Sequence, residues 1–287
     1  MALQRQDSIA AAKQSYWRRY KFLAPYVPEL IAIHRGLRPA LQLSLGGDAE
    51  LESAAPLIAD FCRKAGLRWL AYRRAEQPRI IISREKALPP KTETGFGRLF
   101  GYPDCCIRRW KSLGGVQDWT FNGAPDFWRG PAQPFETNLF LRTTPFHLIK
   151  HLPCAPDCPA TLRGARRLLA EIDSVDARLG GQIRVFGRLP VFTTDICAIG
   201  ILLHGRLRGE RVRYRHFFFD HGPGPFIARS RHNRPEDAAL FDRLVGALAR
   251  GDELRLAGGA VQVFRDNRPI ESIERPNHLS WKLLKFR

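Results

Sequence analysis

At 287 residues the chain is long for one compact core, and two or three packed units are expected. Apolar residues make up 44%, which excludes a wholly disordered polypeptide, and no apolar run is long enough to span a bilayer. A formal charge of +18 points to polyanionic partners, though charge alone defines no site.

In chain order, Gln4–Tyr20 and Pro28–His34 read as helices and Pro39–Leu45 as a strand. An amphipathic helix follows over Asp48–Ala65, then strands over Leu67–Tyr72 and Arg79–Ser83, which together make a small α/β layer over residues 1–90. Turn-rich Ala87–Thr94 closes that unit. Helices are expected at Asp104–Leu113, Pro145–His151 and Pro159–Leu179, giving a helical cysteine-motif domain over 91–182. The long Gly/Pro/Asn/Trp segment Gly114–Asn138 between the first two is of a length that is more often functional than idle. From 183 the pattern turns to strands, at Ile183–Phe192, Ile196–Leu203 and Arg211–Phe219. The amphipathic helix Pro235–Arg250 opens with Glu236 and Asp237 and ends before Gly251. Short strands at Glu253–Leu256 and Val261–Arg265 follow, the second turning at Asp266-Asn267 onto Pro269–Ile273. The fold class is therefore α+β, with a C-terminal, mainly antiparallel sheet and one helix over 183–287.

Met1–Lys21 lacks a secretory core, so the protein is expected in the reducing cytoplasm with no membrane partner. Its six cysteines then read as free thiols or metal ligands. Four fall in two clusters, Gly101-Tyr102-Pro103-Asp104-Cys105-Cys106 and His151-Leu152-Pro153-Cys154-Ala155-Pro156-Asp157-Cys158-Pro159. In each, Pro and Asp lead into a helix whose positive end stabilises thiolates. If the two helix starts face each other, Cys105, Cys106, Cys154 and Cys158 gather round one centre, with His151, or His147 four residues earlier, as a further ligand. The Cys154-x3-Cys158 spacing suits zinc. Adjacent Cys105-Cys106 suits a larger cluster with separate corners, so an iron–sulfur cluster of the 4Fe-4S kind ranks first, zinc second and metal-free thiols third. Arg108, Arg109 and Lys111 follow the first pair and Arg163, Arg166 and Arg167 the second. These cations would offset thiolate charge and dock an anionic substrate.

The two motifs together resemble an uncharacterised bacterial and archaeal family that shares Gly-Tyr-Pro-x-Cys-Cys and His-x-Pro-Cys-x3-Cys. The likeness runs from Phe96 to about Arg167 and implies that the motifs travel together, without supplying a reaction.

Elsewhere, Cys62 and Cys197 read as small core residues. Trp110, Trp119 and Trp128 pack near the site or stack on a ring, and Asn122, Asp126, Glu136 and Asn138 are polar candidates for a pocket. Asp220-His221, at the end of an aromatic strand and before a Gly/Pro loop, is an acid/base candidate set against a plain turn; His278 says nothing. No phosphate loop, dinucleotide fingerprint, hydrolase elbow or radical-adenosylmethionine spacing is present. Three functions remain. The first is a cytoplasmic iron–sulfur enzyme acting on RNA or a phosphorylated metabolite, the second a zinc-stabilised nucleic-acid-binding module, and the third a metal-free thiol enzyme using Cys105 or Cys106.

Overall fold

A computed structural model describes residues 21–74, 76–86, 89–113, 127, 132–194, 200–219, 235–277 and 281–287. The expected helix Gln4–Tyr20, the strand start at Ile196 and Asp220-His221 lie outside these residues.

The first layer is built from α1 (Val27–His34), β1 (Ala40–Ser44), α2 (Asp48–Ala65), β2 (Arg68–Arg74) and β3 (Gln77–Ser83). Its sheet has the order β1-β3-β2 with both neighbours antiparallel to β3. Ile58, Phe61 and Cys62 of α2 bury against Leu41, Leu43, Ile80 and Ile82, the expected apolar stripe of the helix meeting one sheet face. Gly66, in the left-handed region at φ 66°, ends α2 and donates its N–H to Cys62 O.

The cysteine-bearing part contains α3 (Glu93–Leu99), α4 (Asp104–Ser112), α5 (Pro159–Val175) and α6 (Ala177–Gly187). Two expectations fail here. Pro145–His151 is an irregular strap instead of a helix, because its polar backbone pairs elsewhere. Phe146 N–H donates to Thr144 Oγ1 at 3.1 Å, and Leu148 O accepts from Arg38 Nη2 at 2.9 Å. Leu148, Ile149 and Leu152 nevertheless fill the central core. The second failure is Ile183–Phe192, which is helical as far as Gly187, with only Val191–Thr194 extended. Asp176 breaks the preceding helix and caps a new one by accepting from Leu179 N–H at 3.0 Å. Ile183 then faces the core one turn on. At Gly187 a Cβ would stand 2.6 Å from Phe135 Cδ2, so only glycine lets this helix end sit there.

Seven strands form the C-terminal sheet: β4 (Val191–Thr194), β5 (Gly200–Arg208), β6 (Arg211–Phe219), β7 (Glu253–Ala257), β8 (Ala260–Arg265), β9 (Arg268–Glu274) and β10 (Trp281–Leu284). The order is β10-β4-β5-β6-β7-β8-β9, antiparallel throughout, which gives an α+β fold. Strand alternation divides its faces. Ile201 and Leu203 pack with Phe241, Leu244 and Leu248 of α7 (Pro235–Arg250), whereas Leu202 and Val191 join the central core. Asp266 and Asn267, both at positive φ, make the expected β8–β9 turn. Strand β10 is not apparent from the sequence. It adds beside β4, and the tail beyond it pairs with the central segment through Gln133 N–H to Lys285 O at 2.7 Å and Arg287 N–H to Gln133 O at 2.8 Å.

Candidate metal centre

The Gly-Tyr-Pro motif is a helix stop followed at once by a helix start. At the end of α3, Gly101 N–H donates to Arg98 O at 3.0 Å and Tyr102 N–H to Gly97 O at 2.9 Å. This Schellman pair requires the φ of 70° that Gly101 adopts. Pro103 then caps α4, its carbonyl accepting from Cys106 and Ile107 N–H, and places Cys105 and Cys106 in the first turn. In the second motif Cys158 caps α5 with Pro159 at its first position.

These two helix starts meet. The sulfurs of Cys105, Cys106, Cys154 and Cys158 all lie within 4.8 Å of one another, a group that could hold a metal ion. Cys105 to Cys106 is 3.8 Å, and Cys158 is 3.7 Å from each. Adjacent cysteines therefore converge despite their diverging Cβ directions. Cys106 and Cys158 are buried, Cys105 and Cys154 half-buried. Cys154 N–H donates to Cys106 Sγ at 3.4 Å, tying the second motif to the first.

Burial raises the Cys106 thiol far above its ordinary range, against hydrogen bonds from Thr161 and the Cys154 backbone, and raises Cys154 as well. For Cys158 burial pulls the same way, but hydrogen bonds from Thr161 and from the Cys154 and Cys105 thiols together outweigh it and lower the thiol. A bound cation removes the cost of ionising such thiols.

The histidines take other positions. His151, proposed from the sequence as a ligand, directs Nε2 at Thr161 Oγ1, 3.0 Å away, and Thr161 Oγ1 is 3.4 Å from Cys106 Sγ. It stands one hydroxyl behind the sulfurs, its ring tilted 31° against Tyr102 with ring centroids 4.8 Å apart. Burial, followed by the Arg38 charge, lowers its pKa to about 3, so the ring is neutral. His147 is spent on Thr144 O at 2.5 Å and on Glu29 Oε2 at 2.7 Å. The latter is an ion-pair distance without hydrogen-bond alignment. Glu29 also meets Lys150 at 3.2 Å. Burial opposes ionisation of this carboxylate, but the charges of His147, Lys150 and Arg38 hold it down at about 2.

The comparisons with family models, curated proteins and solved structures find no match for this chain.

The six flanking cations are all exposed. Arg166 is engaged by Glu136 at 2.8 Å; Arg108, Arg109, Lys111, Arg163 and Arg167 have no partner among the described residues. On the sheet, by contrast, Glu253 gathers Arg211, Arg213 at 2.9 Å and Arg255 at 2.5 Å. Glu136 and Asn138 are structural, Asn138 donating to Gly187 O at 2.9 Å. Cys62 is core, its thiol pushed up to about 12 by burial. Trp119, Trp128, Asn122, Asp126, Cys197 and His278 lie outside the described residues. Sequence reasoning misses Thr161, whose only signal is a hydroxyl three residues after Cys158, on the first turn of α5.

Among the described residues no helix is long and apolar enough to cross a membrane.

Proposed function

We propose that the four cysteines hold one tetrahedral ion, zinc before others, as a structural thiolate site in a protein that binds the backbone of RNA. The observation that carries this is the sulfur spacing. Four thiolates at ~2.3 Å from one zinc stand about 3.8 Å apart, which matches the 3.7–3.8 Å edges among Cys105, Cys106 and Cys158. A 4Fe-4S cluster, first in rank from the sequence, spreads its thiolates over four separate iron corners, roughly 6 Å apart. The 4.8 Å ceiling on this group favours the single ion. Four protein sulfurs also fill the tetrahedron and leave no open position for substrate, the mark of a structural site. When bound, zinc would supply folding energy across the two motifs.

Five unpartnered cations within a turn or two of the sulfur-bearing helix starts support the RNA part, because unpaired cations are free to displace counterions from phosphates. The test is metal and sulfide analysis of protein purified without oxygen. One zinc per chain and a colourless solution are expected. Brown protein with about four irons and inorganic sulfide overturns the single-ion reading, whereas one iron without sulfide keeps the geometry and changes the element.

A further inference from the structure

A cavity of about 220 Å3 is lined by Cys106 and His151 but by none of the other three cysteines. Phe96, Phe100, Tyr102, Trp110 and Leu152 make its walls. A second cavity of about 200 Å3, lined by Arg38 and Glu29, shares Gln42, Phe100, Tyr102 and Lys150 with the first. Aromatic and charged side chains thus line both, with Phe100, Tyr102 and Lys150 common to the two.

The polar groups at that boundary are donors. Tyr72 OH already occupies Gln42 Oε1, which leaves the amide N–H groups of Gln42 to offer. Lys150 is held over the Tyr26 ring, 3.8 Å from its centroid, and Arg38 keeps one nitrogen on Leu148 O. Across both cavities the cations are Arg38, Arg74 and Lys150, and the carboxylates are Glu29 and Glu93. Arg74 is paired with Glu93, and Glu29 is shared between His147 and Lys150. Three cations therefore stand against two carboxylates across the two cavities. That asymmetry selects an anion, and flat aromatic walls select a flat ring.

We propose that these joined cavities bind a small planar-ring oxyanion, its ring beside Phe100 and Tyr102 and its carboxylate or phosphate on Lys150 and Arg38. The site is independent of the RNA reading, since none of the five unpartnered cations lines either cavity.

The experiment titrates the full chain, as purified, with benzoate, phenyl phosphate and uncharged benzyl alcohol by calorimetry. Saturable 1:1 binding of at least one anion, with benzyl alcohol weaker, is expected, and the stronger anion identifies the head group. Lys150→Met should weaken that binding about tenfold, as expected when one charge-assisted hydrogen bond is removed. Lys150→Arg should restore most of it. In the unaltered chain, saturating ligand should also slow acetylation of Lys150 by acetic anhydride, with exposed Lys91 as the internal reference; this readout stands even if Lys150→Met does not fold. Equal affinity for benzyl alcohol, no binding at millimolar concentration, or unprotected Lys150 overturns the proposal.

Discussion

The Thr161 hydroxyl stands 3.4 Å from Cys106 Sγ and links that sulfur to the buried His151 ring. When Cys106 is a metal-bound thiolate, the hydroxyl can turn its one hydrogen to that sulfur and accept from His151 Nε2–H. A sulfur ligand stabilised in this way is less nucleophilic and better oriented for a metal.

Thr161→Val removes the donor to Cys106 and leaves His151 Nε2 unpaired. Metal affinity should fall about 10- to 100-fold, as for other groups that support metal ligands. Competition against a chromophoric zinc chelator measures this. Unchanged affinity would show that the hydroxyl only fills space.

Gly101→Ala places a side chain at φ 70° with its Cβ 3.3 Å from Pro39 Cδ. The backbone cost is about 1–2 kcal/mol. Because Gly101 sets the start of α4, the urea midpoint and the zinc affinity should both drop. A variant as stable as the parent would mean that another stop for α3 serves equally well.

Glu29 is buried against His147 and the Lys150 ammonium, with the Arg38 charge nearby. Its folded pKa of about 2 lies below the unfolded value of 4.5, so its stabilisation is present above pH 4.5 and is lost as pH falls towards 2. Glu29→Gln should cost about 3–5 kcal/mol at neutral pH, since it strands buried positive charge. Denaturant melts of both proteins at a series of pH values should show the gap closing between pH 4.5 and 2. A gap that stays constant would refute the ion-pair account.

Neutralising Arg108, Arg109, Arg163 and Arg167 together should flatten the dependence of log affinity on log salt. On single-stranded RNA the slope should fall by about 0.7 for each phosphate that is no longer neutralised. Changing Arg211 and Arg213, already committed to Glu253, should leave that slope nearly intact. Filter binding over a salt series decides the matter, and the reverse result would move the RNA face to the sheet.

Much of the local structure is legible in the sequence. Helix α2 comes through in its apolar stripe and terminal glycine, helix α7 in its acidic first turn and closing Gly251, and the β8–β9 hairpin in Asp266-Asn267. Each signal acts between residues a few positions apart. The strap at 145–151 and the helical stretch Ile183–Gly187 are not legible, because partners from distant segments settle them: Arg38 for the strap and Phe135 for the helix end. At the candidate metal centre the sequence by itself determined the four cysteines and the two helix starts at Asp104 and Pro159, which carry Cys105, Cys106 and Cys158. Tertiary structure alone decided that Cys105 meets Cys158 across 53 positions and that Thr161 stands between Cys106 and His151. It also decided that the four sulfurs come within 4.8 Å of one another. Such convergence depends on how the central core packs α4 and α5 together, and no short window of sequence encodes a distance between two helices.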